Sequence, residues 1–219
     1  MKVELMGHYG DDDLICDVAR VSYNKRADQY TKAQNEKLIK YLIDHGHSSP
    51  IRHTLLQFRV SCAIYTERQI FKHTVGISTN SISGRYVDFS DEYETIPLGE
   101  WRTQSKSSKQ GSGGPVEKRY QIQADRIQTD VIEFAKKSYQ QLLDMGVSKE
   151  QARTILPLNL STTFIWTGTL QAFLHLVNLR TKPDAQKETR DVVQEMLRQV
   201  REKKLFEATI NNWPLEYAK

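Results

Sequence analysis

Cysteine is nearly absent from this chain. Its 219 residues hold two, Cys16 and Cys62, far apart and without metal-type spacing. That argues against a disulfide framework and for buried, reduced thiols. Long apolar runs are missing too. Neither a signal-peptide core nor a membrane-length span occurs, so a soluble cytoplasmic protein with no membrane partner is expected. Charge of one sign is also scarce: 31 basic against 27 acidic residues leave a net +4. So weak an excess suits a small anionic ligand and does not call for nucleic acid. With 38% apolar and 26% charged residues, the chain fits a globular enzyme with one sizeable core, a single domain over 1–219.

The residues that are present organise the chain around 67–86. An apolar run through Leu56, Phe58, Val60 and Ile64 leads into it. The sequence then gathers Arg68, Lys72, His73 and Arg85 with Ser/Thr hydroxyls, Asn80, Gly76 and Gly84. Such a mixture fills a core poorly. Guanidinium forks, hydroxyls and free backbone N–H groups together satisfy phosphate oxygens well, although a solvated polar loop has the same composition.

Around this stretch the pattern predicts a first strand in Met1–Tyr9 and a helix starting at the Asp11-Asp12-Asp13 run, where carboxylates favour the positive helix end. Gln34–His45 reads as an amphipathic helix stopped by Gly46, and 54–65 as one or two strands. Glu67–His73 reads as a short helix, and the acidic, aromatic Asp88–Glu94 as surface. Residues 102–118, with four Ser and three Gly, read as a mobile loop. Helices are expected over Gln121–Met145, after Ser148, through much of 161–180, and over Ala185–Lys204, with Phe206–Trp213 packing back on the body. His45, His47 and His53 lie close together, but no neighbouring Cys or carboxylate completes a ligand set, so no metal is expected.

The order of the motif residues carries more. Ser78-x-Asn80-x-x-Ser83-x-Arg85-Tyr86, preceded by His73, resembles the signature of the flavin-dependent thymidylate synthases. Lys72 and Thr74 stand where that family has arginines, and the spacer to Ser78 is one residue longer. Further blocks in the same order are similar: Ala19-Arg20-Val21-Ser22, His45-Gly46-His47, Gln151-Ala152-Arg153 with Leu156-Pro157-Leu158-Asn159-Leu160, and Asn178-Leu179-Arg180. Arg52 replaces the family's usual Glu, and Thr169, Gln171 and His175 replace Asn, Arg and Asn.

The resemblance implies an α/β fold (mixed α+β), a twisted sheet flanked by long helices, assembled as a homotetramer with shared active sites. It implies nucleotide contacts from Gln69, Lys72, Ser81, Ile82, Ser83, Gly84, Arg85, Arg153 and Arg180. Flavin contacts would come from Ser22, His47, Ser49, Lys72, His73, Thr74, Asn80, Ser81, Thr169, Gln171 and His175. Arg180 at the uracil ring and Ser83 beside it are the catalytic candidates. The implied reaction is C5 methylation of dUMP to dTMP, with 5,10-methylenetetrahydrofolate as carbon donor, FAD as hydride carrier and NADPH as its reductant. Two alternatives stay open: a pyrimidine C5 enzyme that hydroxymethylates or takes another pyrimidine nucleotide, and a non-catalytic nucleotide-binding homologue.

Overall fold

The computed structural model describes residues 1–88, 92–107 and 109–217. Among them lie strands β1 (Lys2–Tyr9), β2 (Leu55–Ala63), β3 (Ile77–Ser81), β4 (Arg102–Gln104), β5 (Ser112–Pro115) and β6 (Ser161–Thr169). The helices are α1 (Asp12–Arg20), α2 (Lys32–Asp44), α3 (Ile64–Ile70), α4 (Lys118–Asp144), α5 (Lys149–Ala152), α6 (Leu170–Arg180), α7 (Lys187–Glu202) and α8 (Glu207–Asn212). The fold is the mixed α/β arrangement expected, a sheet flanked by helices.

The main sheet is antiparallel and four-stranded, in the order β1-β2-β6-β3. Alternation along β2 and β6 sets its two faces. Leu56, Phe58, Val60 and Cys62 sit opposite Gly168, Trp166, Phe164 and Thr162, and this face is buried. The other face carries polar pairs, with Gln57 Nε2 donating to Thr167 Oγ1 at 3.0 Å and the Ser61 and Thr163 hydroxyls 2.8 Å apart. Trp166 edges onto Phe58 and Phe173, ring centroids 6.0 and 6.1 Å away, so α6 packs on the buried face. Each such side chain contributes about 1.5–3 kcal/mol by leaving water.

Most expected elements appear. Asp11 caps α1 by accepting from the Leu14 N–H at 2.8 Å, and Gly46 follows α2 with φ +70°. The stretch 161–180 differs: it is not mostly helix but the strand β6 followed by α6. Thr162, Thr163, Ile165 and Thr167 are β-branched and burial alternates from Thr162 to Thr169, which favours the pleated state over the helix. Lys72 and His73 likewise fall just beyond their short helix, which ends at Ile70. Residues 102–118 are not featureless either, since β4 and β5 pair as an antiparallel hairpin. The expected surface stretch Asp88–Glu94 lies partly outside the described residues.

Candidate active site

Two local devices shape the site. Gly76, at φ +71°, turns the chain from His73 into β3, and its carbonyl accepts from the Thr169 N–H at 2.9 Å. A Cβ there would stand 3.0 Å from Thr169 Oγ1, so glycine permits the close approach. Thr169 itself ends β6 and caps α6, its hydroxyl accepting from the Ala172 N–H at 3.2 Å. The turn after α3 is thereby fastened to the start of α6.

Between them lies a groove of about 530 Å³. Lys72, His73, Thr74, Thr169, Gln171 and His175 all line it. Arg52, from the turn before β2, joins them, and among the described residues no carboxylate does. The groove is therefore a cationic slot with amide and hydroxyl donors, a donor set that suits phosphate oxygens.

At the end of α6, Arg180 is held by two acceptors: its Nε donates to His73 Nε2 at 3.0 Å and its Nη2 to the Gln69 carbonyl at 2.9 Å. Since the guanidinium only donates, His73 must accept and carry its own proton on Nδ1. Burial, then the Arg180 and His175 charges, push the His73 pKa below its ordinary value. Burial also lowers the Arg180 pKa.

The motif continues along β3. Ser81 donates to Glu67 Oε1 at 2.5 Å, and burial raises the Glu67 carboxyl although that hydrogen bond and Arg68 oppose it. Asn80 is exposed on the same strand, as is Ile82 just beyond it, whose N–H reaches the Thr163 carbonyl at 2.9 Å. Ser83 accepts from the Arg85 N–H at 3.3 Å, and no histidine or carboxylate bonds its hydroxyl among the described residues. Gly84 is buried between them. The exposed Arg85 pairs with Glu150 at 3.2 Å, on the segment that also carries Arg153.

The candidates thus fall into a groove, an arginine clamp and an exposed phosphate-type loop. Three stand apart: Ser22, His47 and Ser49 are exposed on turns and do not line the groove. His47 stacks with Tyr41, ring centroids 6.2 Å apart. Cys62 is no nucleophile, because burial pushes its thiol up to about 12. Sequence reasoning missed Gln186, Glu188 and Arg102. They reach Gln69 through side-chain hydrogen bonds spanning up to 117 positions, for which no local signal exists.

Comparison with known proteins gives a consistent set of likenesses. Residues 4–204 match the family model described as thymidylate synthase complementing protein. The chain is 37% identical over 186 residues to the flavin-dependent thymidylate synthase of Kosmotoga olearia, covering 85% of this chain and 79% of the relative. It is 36% identical over 201 residues to that of Thermus thermophilus, covering 92% and 72%. A crystal structure of a UMP/dUMP methylase, PolB from Streptomyces cacaoi, bound with 5-Br dUMP, superposes with a TM-score of 0.84 at 29% identity, covering 96% of this chain and 93% of that one.

Proposed function

Because the chain belongs to the thymidylate synthase complementing protein family, that of the flavin-dependent thymidylate synthases, we propose that it methylates C5 of dUMP to give dTMP. The observation that carries this reading is the clamp on Arg180. A guanidinium fixed by His73 and Gln69 at the rim of a cationic groove is pre-aimed at a pyrimidine carbonyl, where charge develops as C5 becomes nucleophilic.

The groove fits an anionic flavin cofactor, since Arg52 and Lys72 face it with no carboxylate opposed among the described residues. Lys72, His73, Thr74, Thr169, Gln171 and His175 would hold FAD there, with Asn80 and Ser81 at its edge. Arg52 restores the cation that Thr74 lacks. Ser22, His47 and Ser49, exposed and outside the groove, would reach the flavin of a neighbouring copy. When bound and reduced by NADPH, the flavin supplies the hydride that turns the methylene of methylenetetrahydrofolate into methyl and releases tetrahydrofolate. The chain's own residues bind and orient: Ser83, Gly84, Arg85 and Arg153 take the phosphate, and Ile82 and Gln69 lie beside the nucleotide. Ser83 donates a hydrogen bond and does not attack, as no base among the described residues bonds its hydroxyl.

The exposed phosphate loop and the displaced Ser22, His47 and Ser49 favour sites completed between copies in a homotetramer. We read residues 1–219 as one domain, since Gln199 of α7 ties to β1 by two 2.8 Å hydrogen bonds, one from the Leu5 N–H and one to the Val3 carbonyl. No described helix is long and apolar enough to cross a membrane, and cytoplasmic residence is our expectation.

A second reading, action on UMP as well, is favoured by the structural neighbour, also solved with 5-Br UMP at a TM-score of 0.84. Incubating the protein with FAD, NADPH and methylenetetrahydrofolate, and with dUMP or UMP in turn, separates the cases by product mass. dTMP from dUMP supports the first reading; methylation of UMP at a comparable rate supports the second. Hydroxymethylated or unchanged nucleotide refutes both.

A further inference from the structure

A run of side-chain hydrogen bonds leads from the hairpin to Gln69, and its direction is set at the hairpin end. Arg102 Nη2 lies 2.7 Å from Glu188 Oε1, the two side chains only 22% and 21% exposed. Burial raises the Glu188 carboxyl, but hydrogen bonds from its own N–H, Gln186 and Arg102 outweigh that and hold it below its ordinary range. Glu188 is therefore a carboxylate, which only accepts. Gln186 must turn its Nε2 towards it, and does so at 2.9 Å. An amide carries its oxygen on the other side, so Gln186 Oε1 is left to accept from Gln69 Nε2. Gln69 in turn keeps its Oε1, which takes no hydrogen bond among the described residues, while its backbone carbonyl holds Arg180.

We propose that Gln186 and Glu188 are positioning residues that lock the Gln69 amide with its oxygen turned away from Gln186, and that this orientation selects uracil over cytosine. Uracil presents a donor at ring N3; cytosine presents a lone pair there and an amino group beside it. A free glutamine amide turns over to suit either base, because its two ends have nearly the same shape. A locked one meets uracil N3–H with an acceptor and meets cytosine N3 with the same acceptor, leaving two lone pairs opposed. A site built to hydrogen-bond one pattern rejects the other strongly, since the mismatched polar groups stay unpaired. The inference rests on the proposed function to the extent that Gln69 lies at the base.

The test is equilibrium binding of dUMP and of dCMP to the FAD-supplemented protein, without folate, so that no turnover is required. The wild type should bind dUMP about 100-fold or more tighter than dCMP. Gln186→Leu removes the lock. Glu188→Gln keeps the shape but offers a donor as well, so the Gln186 and Gln69 amides can both invert. Each should shrink the dUMP/dCMP ratio about tenfold or more, with flavin affinity little moved. A ratio unchanged in both variants overturns the lock, as does a wild type that binds the two nucleotides alike. Turnover distinguishes the levels: methyl product with unchanged ratios sinks the lock alone. The expected ratios without methyl product sink the reaction of the preceding subsection and support the lock. A wild type that binds neither nucleotide sinks both.

Discussion

Arg180 owes its orientation to two acceptors, the His73 ring at 3.0 Å and the Gln69 carbonyl at 2.9 Å. Lysine carries a point charge without the planar fork and cannot bridge both while facing a substrate. Arg180→Lys should lower kcat about 100-fold with flavin affinity nearly unchanged, measured by steady-state turnover and flavin titration. His73 gives a pH signature. Its folded pKa lies below the ordinary 6.5, so the unfolded chain takes up the proton first. The stability it contributes is complete above about 6.5 and is lost as pH falls towards the folded value. Denaturant midpoints of wild type and His73→Gln, followed from pH 8 to pH 5, should converge or cross in that direction; parallel curves would contradict it. At this scale the sequence was informative wherever chemistry is local. His73, Gly76, Ser83 and Arg85 are readable because one short stretch carries them. Gln186 was invisible, because its partner Gln69 is 117 positions away and nothing in either neighbourhood marks the pair.

Among the elements, β6 is the one the site depends on most. It pairs with both β2 and β3, and its last residue caps α6 and fastens the Gly76 turn. A helix was the natural expectation there, since apolar residues recur in 161–180 at spacings that suit either state. Tertiary pairing on both edges decides for the strand, which single-sequence periodicity cannot register. The choice also fixes Gly168. A Cβ there would lie 2.5 Å from the ring of Trp166, which is fully buried and has no room to retreat. Gly168→Ala should therefore cost about 1–3 kcal/mol, read as a lower denaturation midpoint with an unchanged denaturant slope. An unaltered midpoint would mean that the tryptophan is free to shift.

The whole molecule leaves one long element under-used. Helix α4 spans 27 residues, yet its buried residues are Gln121, Ala135 and Tyr139. Ile122, Ile127, Val131 and Phe134 are exposed, Phe134 by 73%. Ile127, Val131 and Phe134 share one face of the helix, and an exposed apolar stripe of this kind is what the proposed sites completed between copies would cover. Phe134→Glu should shift the light-scattering mass to a smaller species and lower turnover together; a wild type that is already monomeric would contradict the shared site. The amphipathic helices and the C-terminal packing are legible from the period of the apolar residues, and the fold class from the family resemblance. What covers α4 is not legible from period, because an interface stripe and a core stripe read alike in sequence.

The proposed reaction requires that hydride reach the nucleotide from a flavin held in the groove beside Arg180. The most direct measurement is anaerobic single turnover. Protein carrying pre-reduced FAD is mixed with dUMP, with methylenetetrahydrofolate, or with both, while flavin absorbance and dTMP are followed together. Flavin should oxidise only when both substrates are present, in equal amount to the dTMP formed. Methyl product without flavin oxidation, or oxidation that leaves dUMP unchanged, would contradict it.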